Sequence, residues 1–235
     1  MRGDTSHVPR ELEICCYSVS DAVSAQQSGA DRIELCAGRP EGGTTPSFGV
    51  LQSAMSTLGI PVFPMVRPRG GDFVYDDREF DAMATDVTTI ADLGFPGLVL
   101  GILDSAKDID VTRCRELVGV ARSINPDIEL TFHRAFDEVR DPITSYRQIG
   151  ELGFTRVLTS GQQSTAVDGA SLLESLIVGH GNSPAVMPGG GVRPNNVKAL
   201  LDLGATNVHS SATPDDLHGI DSDTVRALAD VVHST

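Results

Sequence analysis

Glu13 and Cys15 recur as Glu34 and Cys36, in the segments Leu12-Glu13-Ile14-Cys15 and Ile33-Glu34-Leu35-Cys36. A two-residue step keeps Glu and Cys on one face of a strand and puts Leu12, Ile14, Ile33 and Leu35 on the other. Carboxylates and thiols placed in this way offer two kinds of chemistry. Glu13 and Glu34 can move protons. Cys15 and Cys36, on neighbouring strands about 4.8 Å apart, can bring their sulfurs together. Two facing thiolates suit Cu(I) at low coordination number, whereas zinc requires two further ligands. Small apolar filling is the other reading of both cysteines, and it stays open.

Other residues extend each possibility. Arg67 and Arg69 flank Pro68 and read as an anion clamp. His133 and His209 can serve as general acid or base near neutral pH, or as hydrogen-bonded supports for groups that do. Gly189, Gly190 and Gly191, with Ser160, His209 and Ser210 at the ends of neighbouring segments, can turn toward an anion such as phosphate. The glycines can equally serve a tight turn. Cys16 has the opposite parity to Cys15. Cys114 shares a helical stripe with Val111, Leu117, Val118 and Ala121, so core packing is expected of both.

Positioning these groups requires parallel strands. Between the two Glu-Cys segments, Val19 to Gly29 reads as one helix, with Ser20 as N-cap and Gly29 as the stop, which makes a strand-helix-strand unit. Gly29-Ala30-Asp31-Arg32, Gly94-Phe95-Pro96-Gly97, Gly153-Phe154-Thr155-Arg156 and Gly204-Ala205-Thr206-Asn207 each end a helix just before a strand. They recur at roughly 50 to 65 residues, the length of two strand-helix units. Further strands are expected at Pro61 to Val66, Ile128 to Phe132 and Ala185 to Met187. A helix over Asp77 to Leu93 carries the apolar stripe Phe80, Met83, Ala84, Val87, Ile90 and Ala91. Eight such units predict an α/β chain folded as a TIM (β/α)8 barrel, a single domain over residues 11–235 behind a flexible segment 1–10. A doubly wound open sheet is the alternative. In a barrel, parity brings Glu13, Cys15, Glu34, Cys36, Arg67, Arg69, Thr131, His133, His209 and Ser211 to one interior. They form either a salt-bridge plug or a solvated pocket at the carboxyl ends of the strands.

Composition narrows the partners. The chain has 235 residues, of which 40% are hydrophobic and 21% charged, as in a soluble globular protein. Its net charge of −14, with no basic run, argues against nucleic acid. No stretch of about 18 apolar residues suggests a membrane span, and residues 1–10 lack a signal-peptide core. Four cysteines without a secretory segment fit a cytoplasmic, reducing setting.

With these segments assembled, the chain resembles the CutC family of copper homeostasis proteins over nearly all of residues 11–212. The likeness rests on Glu13-Ile14-Cys15, Gly29 to Cys36, Glu41-Gly42-Gly43-Thr44-Thr45-Pro46-Ser47 and Arg67-Pro68-Arg69-Gly70-Gly71-Asp72-Phe73. It continues through Thr131 to Asp137, Arg156 to Gly161 and Pro188-Gly189-Gly190-Gly191-Val192. The resemblance implies a cytoplasmic TIM barrel that forms homo-oligomers, dimers or tetramers, and handles copper, with Cu(I) at Cys15 and Cys36. The chain departs from the family in the short connection from Thr213 to Asp221, before a final helix from about Ser222 to His233. The residues also support a second function, that of an isomerase, aldolase or lyase acting on a small anionic or phosphorylated metabolite. Arg67, Arg69 and the glycines would hold the anion there, and Glu13, Glu34 and His133 would move protons.

Overall fold

The computed structural model describes residues 10–180, 183–213 and 219–234. Most of the segment expected to be flexible, and residues 214–218 of the short connection, lie outside the described residues. Eight strands alternate with eight α-helices among those described. The strands are β1 Glu11–Cys16, β2 Arg32–Leu35, β3 Val62–Pro64, β4 Gly97–Leu100, β5 Glu129–Phe132, β6 Arg156–Thr159, β7 Ala185–Pro188 and β8 Asn207–Ser210. They pair in parallel as β3-β2-β1-β8 and β4-β5-β6-β7. Parallel bridges Met65↔Val99 and Gly189↔His209 join the two sets, which closes the TIM barrel.

The helices are α1 Val19–Gln27, α2 Phe48–Thr57, α3 Asp77–Asp92, α4 Val111–Ile124, α5 Pro142–Leu152, α6 Ala170–Gly179, α7 Val197–Asp202 and α8 Ser222–Ser234. Local chemistry sets their ends. Asp76 and Glu79 form a capping box on α3, satisfying backbone donors that would otherwise have no partner. The cap of α1 is Ser18 rather than Ser20. Its hydroxyl accepts from the Asp21 amide, and the cap stands two residues earlier than expected. Gly29, Gly94, Gly153 and Gly204 all have φ between +85° and +100°, the left-handed stop that the repeat implied.

Alternation along the strands divides the apolar residues. Leu12, Ile14, Cys16, Ile33, Leu35 and Leu98 join the large core between strands and helices, where Cys114 of α4 also lies. Inside the barrel the apolar set is small: Cys15, Cys36, Phe63, Met65 and Val99. Phe63 fits there because β4 begins with glycine. A Cβ on Gly97 would lie 2.3 Å from the Phe63 ring and 2.5 Å from the Glu129 carbonyl.

Polar groups fill the lower barrel. Arg156 pairs with Glu129 and with Glu11, and Asn207 donates to the same Glu11 carboxylate. One layer above, Arg32 stacks 3.4 Å over the centre of the Phe63 ring and donates to Glu13. This ion network plugs the amino-terminal half, and the carboxyl-terminal half opens into a cavity of about 330 Å³. The plug and the pocket anticipated from parity are thus two ends of one interior.

Candidate functional site

β1, β2 and β8 supply the floor of the cavity. In register, Glu13 of β1 lies opposite Arg32 of β2 and His209 of β8, and Cys15 lies opposite Glu34. Cys36 follows β2, one step further toward the rim, so the two cysteines are staggered rather than directly opposed. Their sulfurs nevertheless lie 4.0 Å apart, and Cys36 Sγ is 3.6 Å from Glu34 Oε2. Cys15 Sγ, a Glu34 carboxylate oxygen and a His209 ring nitrogen all lie within 4.8 Å of one another.

Beneath them Glu13 is fully buried. Oε2 accepts from Arg32 Nε at 2.6 Å, and Oε1 lies 2.7 Å from His209 Nδ1. Burial opposes its charge, but Arg32 and His209 outweigh burial and bring the carboxyl down to about 2. Burial also works against charge on His209, yet Glu34, Cys15 and Glu13 raise the imidazole well above its ordinary range. Its Nδ1–H therefore donates to Glu13, and Nε2 faces Glu34 at 3.9 Å.

The thiols divide in the same way. Hydrogen bonding from Cys36, helped by His209, holds Cys15 well below the ordinary thiol range despite burial. Cys36 is pushed up by its contact with Cys15 and by burial. Burial, and then the Cys15 charge, push Glu34 well above the ordinary carboxylate range. The environment thus favours the charged forms of Cys15 and His209 and the neutral forms of Cys36 and Glu34.

The wall comes from the loops. Arg67 follows β3 and is 6% exposed. Its Nη1 donates to the carbonyls of Glu41 and Gly43, and Nη2 donates to that of Gly71. His133, at the end of β5, accepts from the Ala135 amide through Nδ1 at 3.2 Å. Burial and the Arg67 charge lower it to about 3. With Nδ1 accepting, the neutral ring carries its proton on Nε2. Gly190, Gly191, Arg134, Ser210 and Ser211 form the opposite wall, and Tyr17, Met65, Phe73 and Leu158 add apolar surface.

Of the residues read from sequence, Cys15, Glu34, Arg67, His133, Gly190, Gly191, His209 and Ser210 meet at this cavity, and Cys36 lies behind its floor. Glu13, Arg69, Ser160 and Gly189 do not line it. Glu13 is sealed below by Arg32 and His209, so it orients rather than reaches a ligand. Arg69 turns outward to Glu79 and Asp72, because the chain leaves the ladder after Met65 and strand parity no longer governs it. Ser160 is bound up with Asp137, Arg134 and the Gln163 carbonyl. The Gly189 amide is spent on the Thr159 carbonyl. Arg32 was missed, although its parity with Glu34 and Cys36 marks it as interior.

A metal fits this donor set. With metal–thiolate bonds of about 2.3 Å, a 4.0 Å sulfur separation corresponds to a sulfur-metal-sulfur angle of roughly 120°. That is a trigonal arrangement with room for a third ligand, and a linear pair would need sulfurs about 4.6 Å apart. The ligand atoms that all meet within 4.8 Å are those of Cys15, Glu34 and His209, with the other His209 nitrogen fixed by Glu13, and Cys36 adjoins this group through Cys15 and Glu34.

Comparisons with known proteins agree with the architecture. Residues 10–214 match the CutC family. The chain is 51% identical over 201 residues to a family protein CutC of Enterobacter sp. strain 638, covering 86% of this chain and 79% of that one. A family protein CutC of Klebsiella pneumoniae is 50% identical with the same coverage. In structure the chain is similar to the CutC protein of Streptococcus agalactiae, with a TM-score of 0.81 at 33% identity over 86% of this chain and 98% of that one. Phosphoribosylanthranilate isomerase from Thermotoga maritima shares the fold alone, with a TM-score of 0.62 at 14% identity over 96% and 100% of the two chains. From family match, relatives and barrel together, the chain belongs to the CutC family.

Proposed function

We propose that the chain handles copper by binding Cu(I) between Cys15 and Cys36, with His209 as third ligand. The observation that carries this reading is the pair of buried sulfurs 4.0 Å apart, Cys15 on the cavity floor and Cys36 behind it. Soft thiolates favour Cu(I) over harder cations. The Streptococcus agalactiae relative, a copper homeostasis protein by name, supports the same direction. Binding displaces the Cys36 thiol proton and the Nε2 proton of His209, so it releases protons and weakens in acid. The reading places the protein in a reducing compartment such as the cytoplasm, where both thiols stay free. Anaerobic titration of the reduced protein against a competing Cu(I) chelator tests it. One tightly held ion per chain is expected in the wild type, and a Cys15→Ser, Cys36→Ser variant that competes equally well would overturn the reading.

A second reading has its own observation. The cavity, about 330 Å³, is far larger than one ion needs and is the size of a small-metabolite pocket. Arg67 brings a buried positive charge to its wall, with no carboxylate in ion-pair contact among the described residues. A barrel enzyme of the isomerase, aldolase or lyase type acting on a small anion fits these features.

A further inference from the structure

Cys15, Glu34 and His209 form a donor set of a different kind from the thiol pair. They stand on three adjacent strands, β1, β2 and β8. All three side chains line the cavity and are 5%, 3% and 8% exposed. Together they bring one sulfur, one carboxylate oxygen and one imidazole nitrogen within 4.8 Å of one another.

Two observations point to an ion rather than to a closed hydrogen-bonded cluster. The first lies behind the histidine. Glu13 Oε1 is 2.7 Å from His209 Nδ1, which leaves Nε2 turned toward the set, 3.9 Å from Glu34 Oε2. A carboxylate on the far nitrogen is what orients metal-binding imidazoles and raises their basicity. The second is charge. Two carboxyls, Glu13 and Glu34, are buried here with two thiols, and Arg32 is committed to Glu13. Among the described residues the ion-pair contact of Glu34 is with His209 alone. Buried charges are paired or coordinate metals, and a dication supplies the positive charge that one imidazolium does not.

The donor types choose the ion. Cu(I) favours thiolates and gains little from a carboxylate, whereas zinc accepts sulfur, nitrogen and oxygen in one site. Bonds of about 2.3 Å to sulfur and about 2.0–2.2 Å to nitrogen and oxygen set tetrahedral ligand atoms about 3.3–3.7 Å apart. The 3.9 Å between Nε2 and Oε2 is within roughly half an ångström of that spacing. Three protein ligands leave the fourth zinc position open, and it gives onto the cavity that all three side chains line.

We propose that Cys15, Glu34 and His209 form a zinc site whose open fourth position takes water or an oxygen of a small ligand from the cavity. The site goes beyond the copper reading, which pairs Cys15 with Cys36 and makes no use of Glu34. Cys36 is here a hydrogen-bond donor to Glu34 Oε2, at 3.6 Å, and not a ligand. Because Cys15 serves both ions, each excludes the other.

Zinc titration of reduced, metal-free protein against a chromophoric chelator tests the site, and X-ray absorption of the zinc-loaded wild type reads its ligands. One zinc per chain is expected, with one sulfur at about 2.3 Å and nitrogen or oxygen neighbours at about 2.0–2.2 Å. Glu34→Gln is expected to weaken zinc by more than about tenfold, the least that losing a group behind a ligand costs, and to leave Cu(I) binding unchanged. Cys36→Ser reverses the pattern, keeping zinc and losing Cu(I). Absence of zinc uptake by the wild type overturns the inference, and so does a shell with two sulfurs. Zinc lost in folded Cys36→Ser and undiminished in folded Glu34→Gln also overturns it, placing the ion on the thiol pair with the copper reading intact. Failure of Cu(I) to bind while zinc behaves as expected overturns the copper reading alone.

Discussion

Replacing Glu13 by glutamine tests the plug on which the site rests. The Glu13 carboxylate is the shared acceptor for Arg32 and His209, at 2.6 and 2.7 Å, and it is fully buried. Glutamine keeps its length but not its charge. One amide oxygen can serve one partner, and the amide nitrogen must then face the other partner's N–H. Arg32 would be left with Glu129 at 3.7 Å, and its Nη2 already lacks a partner. Breaking a buried pair by removing one member costs about 3–5 kcal/mol. The surviving hydrogen bond sets the expectation at the lower end, about 3 kcal/mol, or a fall in Tm of roughly 6–12 °C for a chain of this size.

The pH dependence follows from the same carboxyl. Its native value is about 2 against 4.5 unperturbed, so its stabilisation is complete above pH 4.5 and disappears as pH falls toward 2. Urea unfolding of wild type and Glu13→Gln should therefore differ clearly above pH 4.5 and converge as pH falls below it. A loss under about 1 kcal/mol at pH 7, the scale of an exposed pair, would refute the reasoning. So would a difference that grows in acid.

Three further outcomes are expected. Gly97→Ala drives a methyl into Phe63 and the Glu129 carbonyl, and chemical denaturation should show a loss of about 1–3 kcal/mol or more. Arg69→Ala breaks a partly exposed pair, so unfolding should register a loss of about 1 kcal/mol or less with Cu(I) binding unchanged. His133 is neutral in the native barrel and titrates near 6.5 when unfolded, so its stabilisation is complete above pH 6.5 and is lost as pH falls toward about 3. Its contribution to the slope reaches about 1.4 kcal/mol per pH unit, and His133→Asn should flatten a stability-pH curve measured by urea titration.

Strand parity made the floor of the site legible. It placed Glu13, Cys15 and Glu34 on one face, and it sent Cys16 to the outer core. The repeating glycines gave the alternation, because only a left-handed stop ends each helix so close to the next strand. Parity failed where the ladder ended. Arg67 still follows it, but Arg69, two residues on, is carried outward with the loop before Gly70 and Gly71. The stagger that sets Cys15 against Glu34 instead of Cys36 comes from the shear of a closed barrel, which no local pattern encodes. The neutral state of His133 was also hidden, since it depends on the Ala135 amide and on Arg67 from another strand.

X-ray absorption spectroscopy of the protein loaded with one Cu(I) tests the copper reading most directly. Two sulfurs at about 2.3 Å and one nitrogen in a three-coordinate centre are expected, with the nitrogen lost in His209→Ala. A sulfur-free shell, or a linear two-sulfur centre unchanged by that substitution, would contradict it.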